Sequence, residues 1–201
     1  MITVVSQTAI LTTNRLILRS WLESDREPFA RMNADPRVME FFASRLSSEE
    51  SDAIVDRIET HFRQHGFGLW AAELRRDGAF VGFVGFDVPS YEAPYSVELG
   101  WRLAREQWGQ GLATEGAQAV VDYAFETLGF REIVATTVPA NARSRRVMEK
   151  LGMTYDSADD FEHPLLSEGH PLRRHVLYRL RRLDWQPQPG RKTTRGPQRG
   201  L

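Results

Sequence analysis

An α/β domain built on a mixed sheet is the fold class that the sequence predicts, and three observations carry it. Strand-like and helix-like periodicities alternate along the chain. An Asp77-Gly78 pair joins two strand-like runs as a hairpin. A Gly-rich turn at 108–113 stands between a strand-like run and a helix-like one, so antiparallel and parallel pairing must share one sheet.

Residues 15–21 (RLILRSW), the first element, alternate apolar and polar side chains, the signature of a half-buried strand. Ser24 and Glu27 have the spacing of a capping box and open a first helix that ends near Asp35-Pro36. A second box, Ser47 with Glu50, starts another helix. Its apolar face is Ile54, Ile58 and Phe62, and Gly66 breaks it. Strands over 69–74 and 80–86 flank the hairpin turn, and a third strand covers 95–103. The helix after the Gly-rich turn carries one stripe, Ala117, Val120, Val121, Ala124 and Leu128. A β-branched strand over 133–138 precedes a helix over 142–151, which Gly152 closes. Final strands are expected at 153–161 and 175–180, on either side of a Pro-containing loop.

A chain of 201 residues, 41% hydrophobic and 26% charged, suffices for one core and leaves a second domain cramped. It has no cysteine, which excludes disulfides, Cys-based zinc sites and a thiol nucleophile, and makes a reducing cytoplasm the expected location. No apolar run approaches the roughly 20 residues of a membrane span, and residues 1–14 lack the pattern of a signal peptide. The net charge of −1 hides a segregation. Residues 1–172 hold 17 Arg/Lys against 26 Asp/Glu, whereas 173–201 hold 9 against one. The stretch 185–201 is rich in Pro, Gly, Gln and Arg, has too little apolar surface to offset its ordering entropy, and is expected to be a disordered basic tail.

A strand, a Gly-rich turn and a helix start in that order can bind an anion, through backbone N–H groups and the positive end of the helix dipole. Glycines let the backbone approach a phosphate closely. The turn lacks the Gly-Lys-Ser/Thr of a nucleotide-binding P-loop and the third glycine of a dinucleotide fingerprint. By itself it reads equally well as a structural turn.

A second segment, some thirty residues beyond the turn, adds to it. Trp108-Gly-Gln-Gly111-Leu-Ala113 and the later Asn141-Ala-Arg-Ser144…Glu149-Lys-Leu-Gly-Met153 resemble, in order and spacing, two motifs of the GNAT superfamily of acyl-CoA-dependent N-acyltransferases. They are most similar to its RimJ/RimL-like branch. Trp108 departs from the Gln or Arg usual at the first turn position. The resemblance covers about 11–182, read as one GNAT acyltransferase domain, and leaves the tail outside. It implies the GNAT fold: a mixed sheet of about seven strands, splayed at an acyl-CoA cleft and flanked by about four helices. It also implies transfer of an acetyl group from acetyl-CoA to a primary amine, by direct attack in a ternary complex. Acetyl-CoA enters as a substrate, and no metal is expected.

Carried onto this chain, the resemblance places the cofactor pyrophosphate on Trp108, Gly109, Gln110, Gly111, Leu112, Ala113 and Thr114, and the pantetheine along Trp101, Arg102 and Leu103. Glu98 is the candidate general base, with a solvent-side strand carboxylate as the plainer reading. Asn141 precedes a helix and is either an N-cap alone or an N-cap that also meets the cofactor. Where many members carry a tyrosine acid this chain has Met148, so Ser144 becomes the candidate proton donor to the departing thiolate. Of Arg143, Arg145 and Arg146, Arg146 is assigned to the cofactor phosphates, with solvated helix charge as the alternative. His163, His170 and His175 are too loosely spaced for a metal site and suit loop structure or acceptor contacts better. The acceptor is a small-molecule amine or a protein N-terminus, and the loops 33–47 and 162–174 would choose between them. A membrane or nucleic-acid partner is not expected, and a homodimer is left open. Two other classes stay in play: a CoA-binding sensor without turnover, and a ribosome- or RNA-associated protein acting through the Arg-rich tail.

Overall fold

The computed structural model describes residues 9–93 and 95–186. The tail expectation therefore lies almost wholly outside the described residues. Trp185, at its start, packs on the ring of Phe125 at 5.4 Å and donates to Asp122 Oδ1 at 3.0 Å.

Among the described residues nine strands form the sheet, against the expected seven or so. They are β1 (Leu11–Thr12), β2 (Leu16–Arg19), β3 (Leu69–Leu74), β4 (Phe80–Asp87), β5 (Glu98–Leu103), β6 (Glu132–Thr137), β7 (Thr154–Tyr155), β8 (Phe161–Glu162) and β9 (Arg174–Arg181). The excess is in two-residue strands. β1 precedes the first expected strand, and the run expected over 153–161 is broken by a 3₁₀ turn at Ser157–Asp159 into β7 and β8. Asp156 starts that turn by accepting from the Ala158 N–H at 2.9 Å. The strand order is β1-β2-β3-β4-β5-β6-β9-β7, with β8 also on β9. Every pairing is antiparallel except β5 with β6.

Among the described residues four α-helices cover the sheet: α1 (Arg26–Ala34), α2 (Ser48–His65), α3 (Leu112–Tyr123) and α4 (Ala142–Lys150). The α2 capping box forms as its sequence requires. Ser47 Oγ accepts from the Glu50 N–H at 3.2 Å, and Glu50 Oε2 accepts from the Ser47 N–H at 2.7 Å. The expected box at Ser24 does not form. Asp25 takes that role instead, accepting from the Leu22 N–H at 2.8 Å, because the same carboxylate holds the half-buried Arg19 guanidinium through two bonds of 2.6 and 2.9 Å. The buried face of α2 runs Ser51, Val55, Ile58, Phe62. Ser51 replaces Ile54 there, because its hydroxyl accepts from Asn33 Nδ2 of α1 at 3.1 Å.

α3 is buried nearly all round instead of along one stripe, and two of its buried polar groups pair with each other: Gln118 Nε2 donates to Asp122 Oδ1 at 2.9 Å. The helix widens into a π-helical turn over Ala124–Leu128 and ends at Gly129. Cross-strand pairs tell the two faces of the sheet apart. Val84, opposite Trp101, touches α3 near Gly116, whereas Phe83, opposite Arg102, packs its ring on Phe29 of α1 at 6.0 Å. Side chains alternate along a strand, so Glu98, Gly100 and Arg102 belong to the α1 face, and Leu99, Trp101 and Leu103 to the α3 face.

Candidate active site

β5 and β6 are neighbours without being a continuous ladder. Among the described residues they share one register pair, Glu98 with Val134, fastened by a 3.4 Å bond from the Val134 N–H to the Val97 carbonyl. Beyond it the strands part, and the β6-facing edge of β5 lacks a partner strand. A cavity of about 680 Å³ opens at this point. The turn at 108–114 and the start of α4 form one wall, and Phe41, Phe42, Phe83 and Arg102 form another.

Gly109 and Gly111 have φ of +76° and +78°, a region that favours glycine. This conformation, not crowding, is what demands them: a Cβ on Gly109 would meet nothing within 4 Å, and one on Gly111 only Arg15 Nη2 at 3.7 Å. Gly111 starts α3 without a side-chain cap, so the first N–H groups of the helix, at Leu112, Ala113 and Thr114, have no intrahelical acceptor. These residues line the cavity together with Trp108, Gly109 and Gly111. Gln110 is not part of that lining; its carbonyl accepts from Arg15 Nη1 at 2.8 Å, and its side chain donates to the Glu106 carbonyl at 3.0 Å.

Two features brace the turn, and neither was visible in the local sequence. Arg15 pairs with Glu115, whose carboxylate also accepts from the Thr13 hydroxyl at 2.6 Å and the Arg15 N–H at 2.8 Å. Burial opposes the Glu115 charge, but these bonds outweigh it and hold the carboxyl below its ordinary value. Trp108 accounts for its own departure from the motif. Its indole N–H donates to the Leu103 carbonyl at 2.8 Å, and its ring lies 4.5 Å from the Arg143 guanidinium. The Leu103 carbonyl is thereby engaged, leaving Trp101 in the unpartnered stretch of β5.

Glu98 stands at the fork of the two strands. Its carboxylate accepts from Thr136 Oγ1 at 2.6 Å and from the Tyr95 hydroxyl at 2.9 Å, and the Tyr95 hydroxyl in turn lies 2.8 Å from that of Tyr91. Burial raises the Glu98 carboxyl above its ordinary value, and the two hydrogen bonds only partly offset it. Tyr95 lies just before β5, in residues expected to belong to the strand, and this position lets its hydroxyl reach back to Glu98.

At the start of α4, Asn141 Oδ1 accepts from the Ser144 N–H at 3.2 Å, which makes it the N-cap. Its Nδ2 donates to Thr137 Oγ1 at 3.0 Å and to Ser144 Oγ at 3.1 Å. Ser144 Oγ accepts in this pair, so its own proton is left to donate into the cavity that it lines. Met148 is buried one turn further on. Arg146 lines the cavity. Arg145 turns away to the Tyr178 hydroxyl at 3.1 Å, and Arg143 pairs with Glu40 at 2.7 Å across the cleft. The His163 and His175 rings lie 4.9 Å apart, tilted by 43°, in the cavity wall.

Comparison with known proteins agrees with this geometry. The family model described as "Acetyltransferase (GNAT) domain" matches residues 15–154. The FsC-acetyl coenzyme A-N(2)-transacetylase of Aspergillus fumigatus is 34% identical over 190 residues, covering 87% of this chain and 77% of that protein. The [ribosomal protein uS5]-alanine N-acetyltransferase of Escherichia coli is 30% identical over 122 residues, 60% of this chain and 59% of that one. A crystal structure of an acetyltransferase from Agrobacterium tumefaciens superposes with a TM-score of 0.70 at 28% identity, covering 85% of this chain and 93% of the other. With a nine-stranded sheet that parts at a single parallel pair, and a family match over most of its length, this chain belongs to the GNAT acetyltransferases.

Proposed function

We propose that the cavity between β5 and β6 carries out transfer of an acetyl group from acetyl-CoA to a primary amine, by direct attack in a ternary complex. The observation that carries this reading is the convergence of three parts on one cavity. The free N–H groups of α3 stand at one end, the unpartnered edge of β5 runs beside them, and the half-buried Glu98 carboxylate lies at the fork.

In this reading the N–H groups at Leu112, Ala113 and Thr114 hold the pyrophosphate, with Arg146 beside them, and the β5 edge at Trp101 holds the pantetheine. Glu98 takes a proton from the incoming ammonium. Its raised pKa makes it a stronger base than a solvated carboxylate. The amine nitrogen then bonds to the thioester carbonyl carbon, the C–S bond breaks, and Ser144 gives its proton to the leaving sulfur. The second proton, shed by the nitrogen as it becomes the amide, returns through solvent to the Ser144 oxygen. Asn141 is a positioning residue: its amide fixes Ser144 with the hydroxyl proton directed away.

Thiol release from acetyl-CoA, followed across a panel of small amines and N-terminal peptides, tests the reading. Amine-dependent release with an N-acetylated product by mass spectrometry is expected. CoA binding with no release on any amine would leave a sensor in place of an enzyme.

A further inference from the structure

The acceptor side of the cavity contains a charge that the proposed acetyl transfer does not use. Arg102 lines the cavity from the α1 face of β5, the face that also presents Glu98. Its Nη1 donates to Asn33 Oδ1 at 2.6 Å, and its guanidinium lies 4.1 Å from the Phe42 ring and 5.4 Å from the Phe83 ring. Its Nε is buried and has no hydrogen-bond partner. Among the described residues no carboxylate stands beside it. Burial alone acts on its charge, lowering the pKa from the ordinary arginine value to about 10, so the group is a cation at neutral pH.

A buried arginine ordinarily has an anionic partner, because the guanidinium forfeits hydration that aromatic faces and one neutral amide replace only in part. Another mostly covered arginine of this sheet shows the contrast. Arg19 lies between Asp25 and Glu73, at 2.6 Å from each. Arg102 has the same need and is met by Asn33, an amide that takes one hydrogen bond and supplies no charge. The pyrophosphate turn opens α3, which packs on the opposite face of the sheet from Arg102, although both line the one cavity.

We infer that Arg102 is the acceptor-recognition residue of this site, and that the preferred acceptor is an amine carrying a carboxylate. This rests on the proposed acetyltransferase activity and adds the substrate class to it. The carboxylate would pair with the guanidinium from the cavity that Arg102 lines, with its amine at Glu98. Glu98 and Arg102 are four residues apart on one strand face, about 13 Å between Cα atoms by strand geometry. A spacer longer than that of an α-amino acid is therefore required. An ω-amino carboxylate meets it, and so does a peptide N-terminus followed closely by Asp or Glu.

Matched pairs test the inference in the wild-type chain. ω-Amino carboxylates of two to six methylenes are compared with their own amides, and N-terminal peptides with Asp near the amine are compared with the Asn versions. Each carboxylate is expected to exceed its amide at least 10-fold in kcat/KM in one of the two series, which also tells a free metabolite from a peptide. In Arg102→Met that ratio should collapse to near one, and in Arg102→Lys part of it should return. Calorimetric titration with 4-acetamidobutanoate and 4-acetamidobutanamide gives a readout free of turnover. Tighter binding of the carboxylate, lost in Arg102→Met, supports the anion subsite even if no amine reacts, an outcome that would sink the enzymatic reading alone. Equal handling of carboxylate and amide by the wild type, in both rate and binding, overturns the inference. So does an Arg102→Met variant whose defect lies in acetyl-CoA affinity, since Arg102 would then serve the donor.

Discussion

Glu98 on β5 accepts a 2.6 Å hydrogen bond from Thr136 on β6, across a pair of strands that part immediately beyond them. One contact thus clamps the fork and aims the carboxylate. The same placement withdraws the carboxylate from water, which is the source of its raised pKa.

That burial has a consequence for stability. The folded chain keeps the Glu98 proton to a higher pH than the unfolded chain, whose carboxyl titrates near 4.5. Stability is therefore lost as pH rises through this interval, and the whole penalty is present above the folded pKa. Glu98→Gln cannot ionise and escapes it. Thermal unfolding should show Glu98→Gln above wild type at pH 8, with the gap narrowing at pH 5. A gap that is constant or widens toward acid would contradict the assignment of the raised pKa.

Asn141 and Ser144 can be separated by a substitution that keeps the cap. Asp is as good an N-cap as Asn, so Asn141→Asp should leave the melting temperature nearly unchanged. It replaces the Nδ2 donor with an acceptor, toward which the Ser144 hydroxyl would turn its proton. Turnover should then fall roughly 10-fold, as in Ser144→Ala, the scale of losing a modest proton donor. Full activity in Asn141→Asp would remove Ser144 from the proton path.

Ala113→Glu probes the turn without backbone strain. A carboxylate in the first turn of α3 suits the helix dipole, so folding should be unaffected. It stands where the pyrophosphate is proposed to bind, and calorimetry should show CoA affinity reduced at least 10-fold. Unchanged affinity would place the phosphates elsewhere.

Asp25→Ala should act on stability alone. It removes the carboxylate from the half-buried Arg19, leaving Glu73 as the remaining anion, and breaking such a pair costs about 3 kcal/mol. Urea unfolding measures this. CoA affinity in the folded fraction should match wild type, since Asp25 does not line the cavity.

What could be read in the sequence was whatever neighbours decide. The Ser47–Glu50 box, the helix stop at Gly66 and the turn glycines each answer to residues within one turn, and they form as their types require. The Ser24 box failed because Asp25 answers first to Arg19, six residues back. The unread parts of the site are long-range. Arg15 reaches Glu115 over 100 residues, Thr136 reaches Glu98 over 38, and Asn33 meets Arg102 over 69. No local periodicity encodes which of many arginines will be drawn inside without an anionic partner. Trp108 looked like a weakened motif because its bond is to a backbone carbonyl, which every residue carries.

The most direct test of the proposed chemistry is the pH dependence of kcat/KM for Glu98→Gln beside wild type, with an amine that the panel identifies. Without a base the reaction must wait for amine that is already neutral, so the loss should be largest at low pH. A fall of roughly 10²-fold or more is expected near pH 6 to 7, partly recovered toward pH 9 as free amine accumulates. Near wild-type rates for Glu98→Gln across pH 6 to 9 would contradict the role of Glu98 and move the base to another group or to water.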